Sequence, residues 1–189
     1  KLRQDSSKYV QKSVANHLND VGKNHPDHLI AACRRWLAED HPNSNWICRH
    51  ALRSLAKQGD PRVFPLLGYD SPNRVQVQQP ELAVQSDKNE LEIRLNLSNT
   101  GKKPLRLRLD YGLELPRSGN KTGYFVFRWG EHRLQPGQSL QLRTRHSFRP
   151  VTTRRYYAGE CRLDIRLNGQ VKSQQAFRLS QTGLVCLIL

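Results

Sequence analysis

Apolar residues in the first seventy positions recur at helical spacing, and Gly and Pro stand between the apolar runs rather than inside them. The first stripe consists of Tyr9, Val10, Val14, Leu18 and Val21, the second lies within 28–37, and the third consists of Trp46, Ile47, Ala51, Leu52 and Leu55. Each stripe predicts a helix that turns one apolar face toward a core. A short last turn is predicted over 63–67, after Gly59 has closed the third helix.

The first and third stripes also align with each other. Residues 9–18 and 46–55 match in their aromatic, aliphatic, basic and leucine positions at a constant offset of 37 residues. A helix-pair period of this size is typical of HEAT-type repeats, and about three repeats are needed to close a core. We therefore expect further repeats to precede Lys1.

The period changes from 3.6 to 2 after residue 73. Strict alternation over 91–97, 105–109 and 161–167 predicts half-buried strands, and further strands are predicted at 77–84, 124–128, 140–145 and 171–179. Asn168-Gly169 is a hairpin signal between two of them. About seven such strands fit an immunoglobulin-like antiparallel β-sandwich. The predicted fold is thus a multi-domain chain, with HEAT-like helical repeats over 1–72 followed by this sandwich over 73–189.

Charge narrows the class of partner. Lys and Arg number 31 against 16 Asp and Glu, a formal net charge of +15. Nucleic acid is the first expectation for so basic a chain, ahead of an anionic membrane or an acidic substrate. No apolar run approaches the roughly 20 residues of a membrane span, and the polar first residues carry no signal-peptide apolar region, so we expect no membrane partner. Reduced thiols are the preferred interpretation of the cysteines, and they indicate a cytoplasmic protein. The four cysteines lack C-x-x-C spacing, which argues against structural zinc, a disulfide framework or a metal cofactor.

Two groups of cations are candidates for phosphate contacts. The stretch 143–155 in the sandwich has no carboxylates, and its side chains can donate hydrogen bonds to phosphate oxygens. The predicted contacts are Arg143, Arg145, His146, Arg149, Thr152, Thr153, Arg154 and Arg155. The group in the helices comprises Lys12, Arg49 and Arg53, where the i, i+4 spacing of the two arginines predicts a row of charge. Arg106, Arg108, Arg162 and Arg166 are interpreted instead as a solvated strand face.

Three long segments carry a resemblance to a known family. They are YVQKSVANHLNDVGKNHPD at 9–27, WICRHALRSLAKQGDP at 46–61 and RHSFRPVTTRRYY at 145–157. In this order they resemble the AlkC branch of the AlkC/AlkD superfamily of DNA alkylation repair glycosylases. The resemblance implies a monomeric enzyme that excises cationic N-alkylated bases, such as 3-methyladenine, from duplex DNA without metal or cofactor.

The resemblance also implies a catalytic residue. Asp20 resembles the family's active-site Asp, whose carboxylate would stabilise the oxocarbenium-like sugar; the alternative is an exposed helix-surface Asp. Asn16 shares its helix face at i, i+4 and either fixes that carboxylate or a water, or bonds locally within the helix stack. Trp46 either packs on the sugar or base as part of the pocket, or belongs to the core.

The chain departs from the family in extent. Family members carry further N-terminal repeats, including an Arg-Pro-Arg-Leu-Pro-Trp segment and a Glu that help to form the pocket, and this chain lacks both. We therefore expect the isolated chain to bind DNA without turnover. The alternative function is a non-catalytic basic module of HEAT-like and immunoglobulin-like parts that binds nucleic acid or an acidic protein.

Overall fold

The computed structural model describes residues 2–119, 121–150 and 155–180, together with the backbone of 185 and 186. The chain divides into two units, Lys1–Asp70 and Ser71–Leu189. The first unit is helical and the second is built from antiparallel strands. We describe each unit separately.

The described part of the helical unit, from residue 2 onward, contains a 3-10 turn and five α-helices. The turn is Leu2–Gln4, and the helices are α1 (Lys8–Asn24), α2 (Pro26–Ala38), α3 (Pro42–Ala51), α4 (Arg53–Gln58) and α5 (Val63–Leu66). Pro26 and Pro42 occupy the first helical positions, where a missing N–H costs nothing. Gly59, with a φ of 86°, ends α4 in a Schellman motif, because Asp60 N donates to Leu55 O at 3.0 Å and Gly59 N to Ala56 O at 3.1 Å.

The third predicted helix is wrong in one respect, because the structure divides it. Its apolar stripe runs through α3 and α4, which are separated at Leu52. Leu52 nevertheless remains fully buried, with Cys48 and Ala51 beside it in the core of the unit. Helix-type hydrogen bonds continue on both sides of Leu52, from its N–H to Cys48 O and from Ala56 N to its carbonyl, at 2.9 Å each, and both helices contribute to that core.

The buried face of α1 differs from the predicted one. Its buried residues are Gln11, Ala15, Asn19 and Gly22, whereas Tyr9 is 83% exposed and Val10, Val14, Leu18 and Val21 are only partly buried. Small side chains permit this close approach: a Cβ on Gly22 would lie 2.3 Å from Leu29 Cδ2. Asn19 is buried at no polar cost, because its amide donates to Ala51 O at 2.8 Å and accepts from Ser54 Oγ at 3.1 Å.

The second unit begins with a 3-10 turn, Pro72–Arg74, and contains nine described strands. They are β1 (Val75–Val77), β2 (Glu81–Gln85), β3 (Glu90–Asn99), β4 (Leu105–Arg117), β5 (Lys121–Leu134), β6 (Ser139–Ser147), β7 (Gly159–Leu167), β8 (Gln170–Leu179) and β9 (Val185–Cys186). In the first sheet, β3 pairs with β6 along one edge and with both β1 and β2 along the other. The second sheet has the order β5-β4-β7-β8-β9, and every pairing is antiparallel.

Alternation along the strands builds one core between the two sheets. Leu91, Ile93, Leu95 and Leu97 of β3 and Leu107, Leu109, Leu113 and Leu115 of β4 belong to the same buried cluster. The predicted strand over 77–84 is two strands, because Pro80 cannot donate to a ladder and lies between β1 and β2. The predicted hairpin at Asn168-Gly169 is confirmed, with φ values of 47° and 78° that fit a type I′ turn.

Candidate nucleic-acid interface

One face of α1 carries polar side chains at every fourth position. Lys8, Lys12, Asn16 and Asp20 follow i, i+4 spacing, so they lie in a row along the helix. Lys8, Lys12 and Asp20 are exposed, while Asn16 is partly buried against the following helices. The row is next to side chains of α3 and α4, and we call the combined surface, formed by Lys8, Lys12, Asn16, Asp20, Trp46, His50 and Arg53, the helical polar surface.

Asn16 ties the row to α3 and α4. Its Oδ1 lies 3.1 Å from His50 Nε2 and accepts a hydrogen bond from Arg53 Nη2 at 3.1 Å. Arg53 Nη1 also donates to the carbonyl of His50 at 2.6 Å. The sequence left two roles for Asn16: holding the Asp20 carboxylate or a water, or forming hydrogen bonds within the helix stack. The described contacts agree with the second role, because they join Asn16 to His50 and Arg53 and not to Asp20.

His50 contacts three residues of this surface, namely Asn16, Trp46 and Arg53. Burial lowers its pKa below the ordinary value of 6.5, and the nearby charges of Arg53 and Lys12 lower it further. The imidazole is therefore neutral at pH 7 and offers a flat, uncharged ring to its neighbours.

Trp46 lies at the surface rather than in the core. It is 40% exposed and stacks on the His50 ring, with centroids 5.1 Å apart and planes inclined by 8°. Lys8 Nζ lies 5.8 Å from the centroid of the indole ring. A partly exposed indole ring with a cation beside it can contact a nucleobase or sugar.

Asp20 is at the other end of the row. Its side chain is 65% exposed and accepts from Lys23 Nζ at 2.7 Å. The hydrogen bond and charge of Lys23 lower its pKa, and Arg53 and His17 contribute smaller effects in the same direction. The carboxylate stays ionised at neutral pH, which suits electrostatic stabilisation of a positive charge and not proton donation.

Arg49 is separated from this row by its contacts. Its Nε donates to Asn45 Oδ1 at 3.1 Å, while Nη1 and Nη2 donate to Tyr69 Oη and the Leu67 carbonyl at 3.2 Å each. The guanidinium also lies over the Tyr69 ring, 5.7 Å from its centroid. Arg49 therefore links α3 to the end of the helical unit, whereas Arg53 uses its two Nη groups to bind Asn16 and the His50 carbonyl within the helical polar surface.

The predicted sandwich cluster is partly neutralised by a carboxylate from another strand. Arg143 and Arg145 point outward from β6, and the register of the first sheet brings Glu92 of β3 opposite Arg145. Glu92 Oε2 accepts from Arg145 Nε at 3.0 Å, and Arg94 Nε donates to Oε1 at 2.8 Å. These two hydrogen bonds lower the pKa of Glu92, Arg94 having the larger effect. The stretch lacks carboxylates along the sequence but not in space.

The remaining residues of that cluster have different positions. His146 is 6% exposed, with Nδ1 3.0 Å from Tyr111 Oη and its ring against Phe127 and Phe148, so a surface phosphate contact from it is wrong. Arg149 is exposed and its Nε donates to Lys88 O at 2.9 Å. Arg155 is exposed, whereas Thr152, Thr153 and Arg154 lie outside the described residues.

The outer face of the second sheet is solvated at Arg106 and Arg162, whose side chains are 42% and 50% exposed, so the prediction is confirmed there and wrong for Arg108 and Arg166. Asp110, Asp164 and Arg166 are at most 5% exposed, and the side chain of Arg108 is 12% exposed. Arg108 Nε lies 2.9 Å from Asp110 Oδ2, and Tyr124 Oη donates to Asp164 Oδ2 at 2.7 Å across Gly112. Burial raises the pKa of Asp110 and, together with the Asp164 hydrogen bond, raises that of Tyr124 to about 12. Three arginines of this face each form an ion pair with a carboxylate: Arg106 with Glu131, Arg108 with Asp110 and Arg162 with Glu114.

Comparison with known proteins identifies the family. The family model described as "Uncharacterised protein YhaZ, C-terminal Ig-like domain" matches residues 73–181. The chain belongs to this family. The uncharacterized protein YhaZ of Bacillus subtilis (strain 168) is 32% identical over 183 residues, which cover 95% of this chain and 50% of that protein.

A solved structure extends the similarity of this YhaZ-family chain across both units. It is the Pseudomonas fluorescens alkylpurine DNA glycosylase AlkC bound to DNA containing an abasic site analog. The TM-score is 0.86 at 33% identity, over 95% of this chain and 50% of that one. The resemblance to the AlkC branch is thereby confirmed, and the chain spans half the length of both relatives.

The sequence of this YhaZ-family chain does not by its pattern predict several residues of the candidate surfaces. Lys8 and His50 are not among the predicted site residues, although the i, i+4 spacing of Trp46 and His50 indicates that their side chains are neighbours on one helix face. Glu92 and Arg94 were missed because strand register brings them to Arg143 and Arg145. Within the described residues, no three His, Cys, Asp or Glu side chains form a metal-binding group, and no helix has the length and apolarity of a membrane span.

Proposed function

We propose that this chain is part of a DNA alkylation repair glycosylase that hydrolyses the N-glycosidic bond of cationic N-alkylated purines such as 3-methyladenine. The observation that carries the proposal is an ionised carboxylate, Asp20, on a cationic surface that also presents the Trp46 ring. The AlkC structure, bound to DNA and similar over 95% of the chain, supports the same assignment. We further propose that α1 to α5 continue a HEAT-like array and that the enzyme is monomeric and cytoplasmic.

The chemistry requires little of the protein beyond electrostatics. A cationic base leaves as a neutral molecule when the C1′–N bond breaks, since the electron pair moves to its nitrogen. Positive charge then develops on the sugar, where a fixed carboxylate such as Asp20 lowers the barrier. Water adds to C1′ and releases a proton, so neither a metal nor an organic cofactor enters the proposed reaction.

DNA binding is proposed for both units. On the helical polar surface, Lys8, Lys12 and Arg53 contact phosphates and Trp46 stacks on a sugar or base. In the sandwich, the proposed contacts are Arg143, Arg145, Arg149 and Arg155, with Thr152, Thr153 and Arg154 remaining predictions. Each phosphate contact releases condensed counterions, so duplex affinity is expected to fall steeply with salt.

The decisive experiment measures abasic-site formation on duplex DNA containing 3-methyladenine, using the full-length protein that includes this chain. Asp20→Asn is expected to reduce the single-turnover rate by about 10²- to 10³-fold, as loss of one electrostatic stabiliser does, with little change in duplex affinity. Asp27→Asn is the matched control, because Asp27 is also an exposed helical Asp paired with a cation, Arg62. A rate within about threefold of wild type for Asp20→Asn contradicts its catalytic role.

The second candidate is a binding module without chemistry, and the exposure of Asp20 favours it. A carboxylate that is 65% exposed and paired with Lys23 is screened by water, which weakens electrostatic catalysis. This candidate predicts salt-dependent duplex binding without product. In that case Arg53→Gln weakens binding by the folded protein, and Arg49→Gln, which loses bonds to Tyr69 and Leu67, lowers stability; urea unfolding of both variants accounts for the Arg53 bonds to Asn16 and His50.

A further inference from the structure

We propose that Glu92 is a positioning residue that holds Arg94, Arg143 and Arg145 as one phosphodiester-binding group, and that Arg94 is a further DNA-contacting residue. The inference rests on the proposed DNA binding and assigns it to a definite face, the outer face of the first sheet. We call Glu92 and its three arginines the arginine tripod.

The geometry of the arginine tripod follows from strand register. Glu92 faces Arg145 and Arg94 faces Arg143 across the β3–β6 ladder, and all four side chains point away from the core. The Glu92 side chain is 2% exposed, while those of Arg94, Arg143 and Arg145 are 55%, 61% and 45% exposed. One buried carboxylate therefore lies beneath three solvent-facing guanidinium groups.

The atoms used in these contacts leave the outer ends of the arginines available. Arg94 and Arg145 each bind Glu92 through Nε, and Arg143 Nη1 lies 3.9 Å from Glu92 Oε2. Within the described part of the unit, the Nη groups of Arg94 and Arg145 have no hydrogen-bond partner. A pair of Nη donors fits two oxygens of a phosphodiester, and a guanidinium held at Nε is already oriented for that contact.

The charge balance distinguishes this face from the second sheet. There, Asp110 pairs with Arg108 and Glu114 with Arg162, while Arg106 and Arg128 share Glu131. In the arginine tripod, three guanidinium groups share one carboxylate, a net charge of about +2 for these four side chains, which Glu81 opposite Arg94 on β2 reduces to about +1. Glu92 reduces the mutual repulsion of the arginines without cancelling their attraction for an anion.

A groove next to the arginine tripod provides room for a nucleic-acid backbone. It has a volume of about 440 Å³, and Arg94 and Arg143 form part of its lining. Asn96, Gln141 and Glu81 also line the groove, and Asn96 Nδ2 donates to Gln78 Oε1 at 3.0 Å. Amide donors beside two arginines match phosphate and sugar oxygens, while Glu81 limits how far a backbone extends toward β2.

The sign of one substitution tests the inference. Glu92→Gln adds one positive charge, so bulk electrostatics alone predicts tighter duplex binding. If Glu92 positions the arginines, affinity instead falls by about three- to tenfold, and the slope of log K against log salt decreases by about 0.9 for each lost phosphate contact. Fluorescence anisotropy of a labelled duplex at several salt concentrations measures both quantities.

Arg94→Gln provides a second test of the arginine tripod if Glu92→Gln destabilises the sheet. It is expected to lower the salt slope by about 0.9, whereas Arg178→Gln, an equal charge change on β8, is expected to leave the slope unchanged. Equal effects of the two substitutions, or unchanged or tighter binding by folded Glu92→Gln, overturn the assignment but not the proposed DNA binding.

Two further outcomes separate the proposals from each other. If wild-type protein fails to bind duplex DNA, the proposed function itself fails. If Arg94→Gln weakens binding of a labelled poly-glutamate peptide and leaves duplex binding intact, the arginine tripod recognises carboxylates and the phosphodiester assignment is overturned.

Discussion

Replacement of Asn19 by Ala is expected to destabilise the helical unit more than its polar character suggests. Asn19 is 2% exposed and joins α1 to α3 and α4 through Ala51 O and Ser54 Oγ. The substitution leaves the Ala51 carbonyl without its donor, at a cost of about 1–3 kcal/mol, and opens a small cavity that adds about 1 kcal/mol. The higher helix propensity of Ala stabilises the folded state by about 0.5 kcal/mol. We expect a net loss of about 2–3 kcal/mol.

The assay is urea unfolding of the chain, followed by circular dichroism at 222 nm, which reports mainly on the helices. Ser13→Ala on the exposed side of α1 is the control for helix propensity, and Ser54→Ala is expected to cost about 0.5–1.5 kcal/mol. The double variant gives the coupling between Asn19 and Ser54. A loss below about 1 kcal/mol for Asn19→Ala refutes the view that α1 is held by this buried amide.

Two other substitutions test the packing and titration of the same unit. Gly22→Ala gains about 1 kcal/mol of helix propensity, but its Cβ would lie 2.3 Å from Leu29 Cδ2, so thermal unfolding should show a net loss of about 1–2 kcal/mol, relieved in the Leu29→Ala background. His50 has a folded-state pKa below 6.5, so the unfolded state binds more protons and its contribution to stability is lost as the pH falls below 6.5. His50→Gln should flatten the melting temperature between pH 7 and pH 5.5, and an unchanged profile contradicts this assignment.

The sequence predicted the type and order of elements better than their buried faces. Periods of 3.6 and 2 are direct consequences of backbone geometry, so the change after residue 73 was readable. The α1 face was not readable, because pattern analysis equates burial with apolar character. Asn19 is buried through hydrogen bonds to residues 32 and 35 positions away, and no local pattern encodes those partners.

In the candidate site, too, positions fixed by local alternation can be predicted from the sequence, whereas contacts between distant strands cannot. His146 could have been placed correctly, since continuing the alternation of Leu140 and Leu142 by four residues puts its ring on the inward face of β6. The Glu92–Arg145 pair could not, because it joins strands 53 residues apart and a shift of one residue in register would separate the two side chains.

Net charge alone therefore does not locate an anion-binding surface on this chain. Arg108 and Arg166 contribute to the total of +15 but lie in a buried network with Asp110 and Asp164, where removal from water makes each charge depend on its partner. Arg94 and Arg143 contribute the same formal charge from side chains that are more than half exposed. Only the latter arrangement releases counterions on binding a phosphate, so the salt slope of duplex binding reports exposed, unmatched arginines and not the sequence total. Substitution of Arg166 should accordingly change the unfolding free energy and leave the salt slope unaltered. Substitution of Arg94 should lower the salt slope and leave the unfolding free energy nearly unchanged.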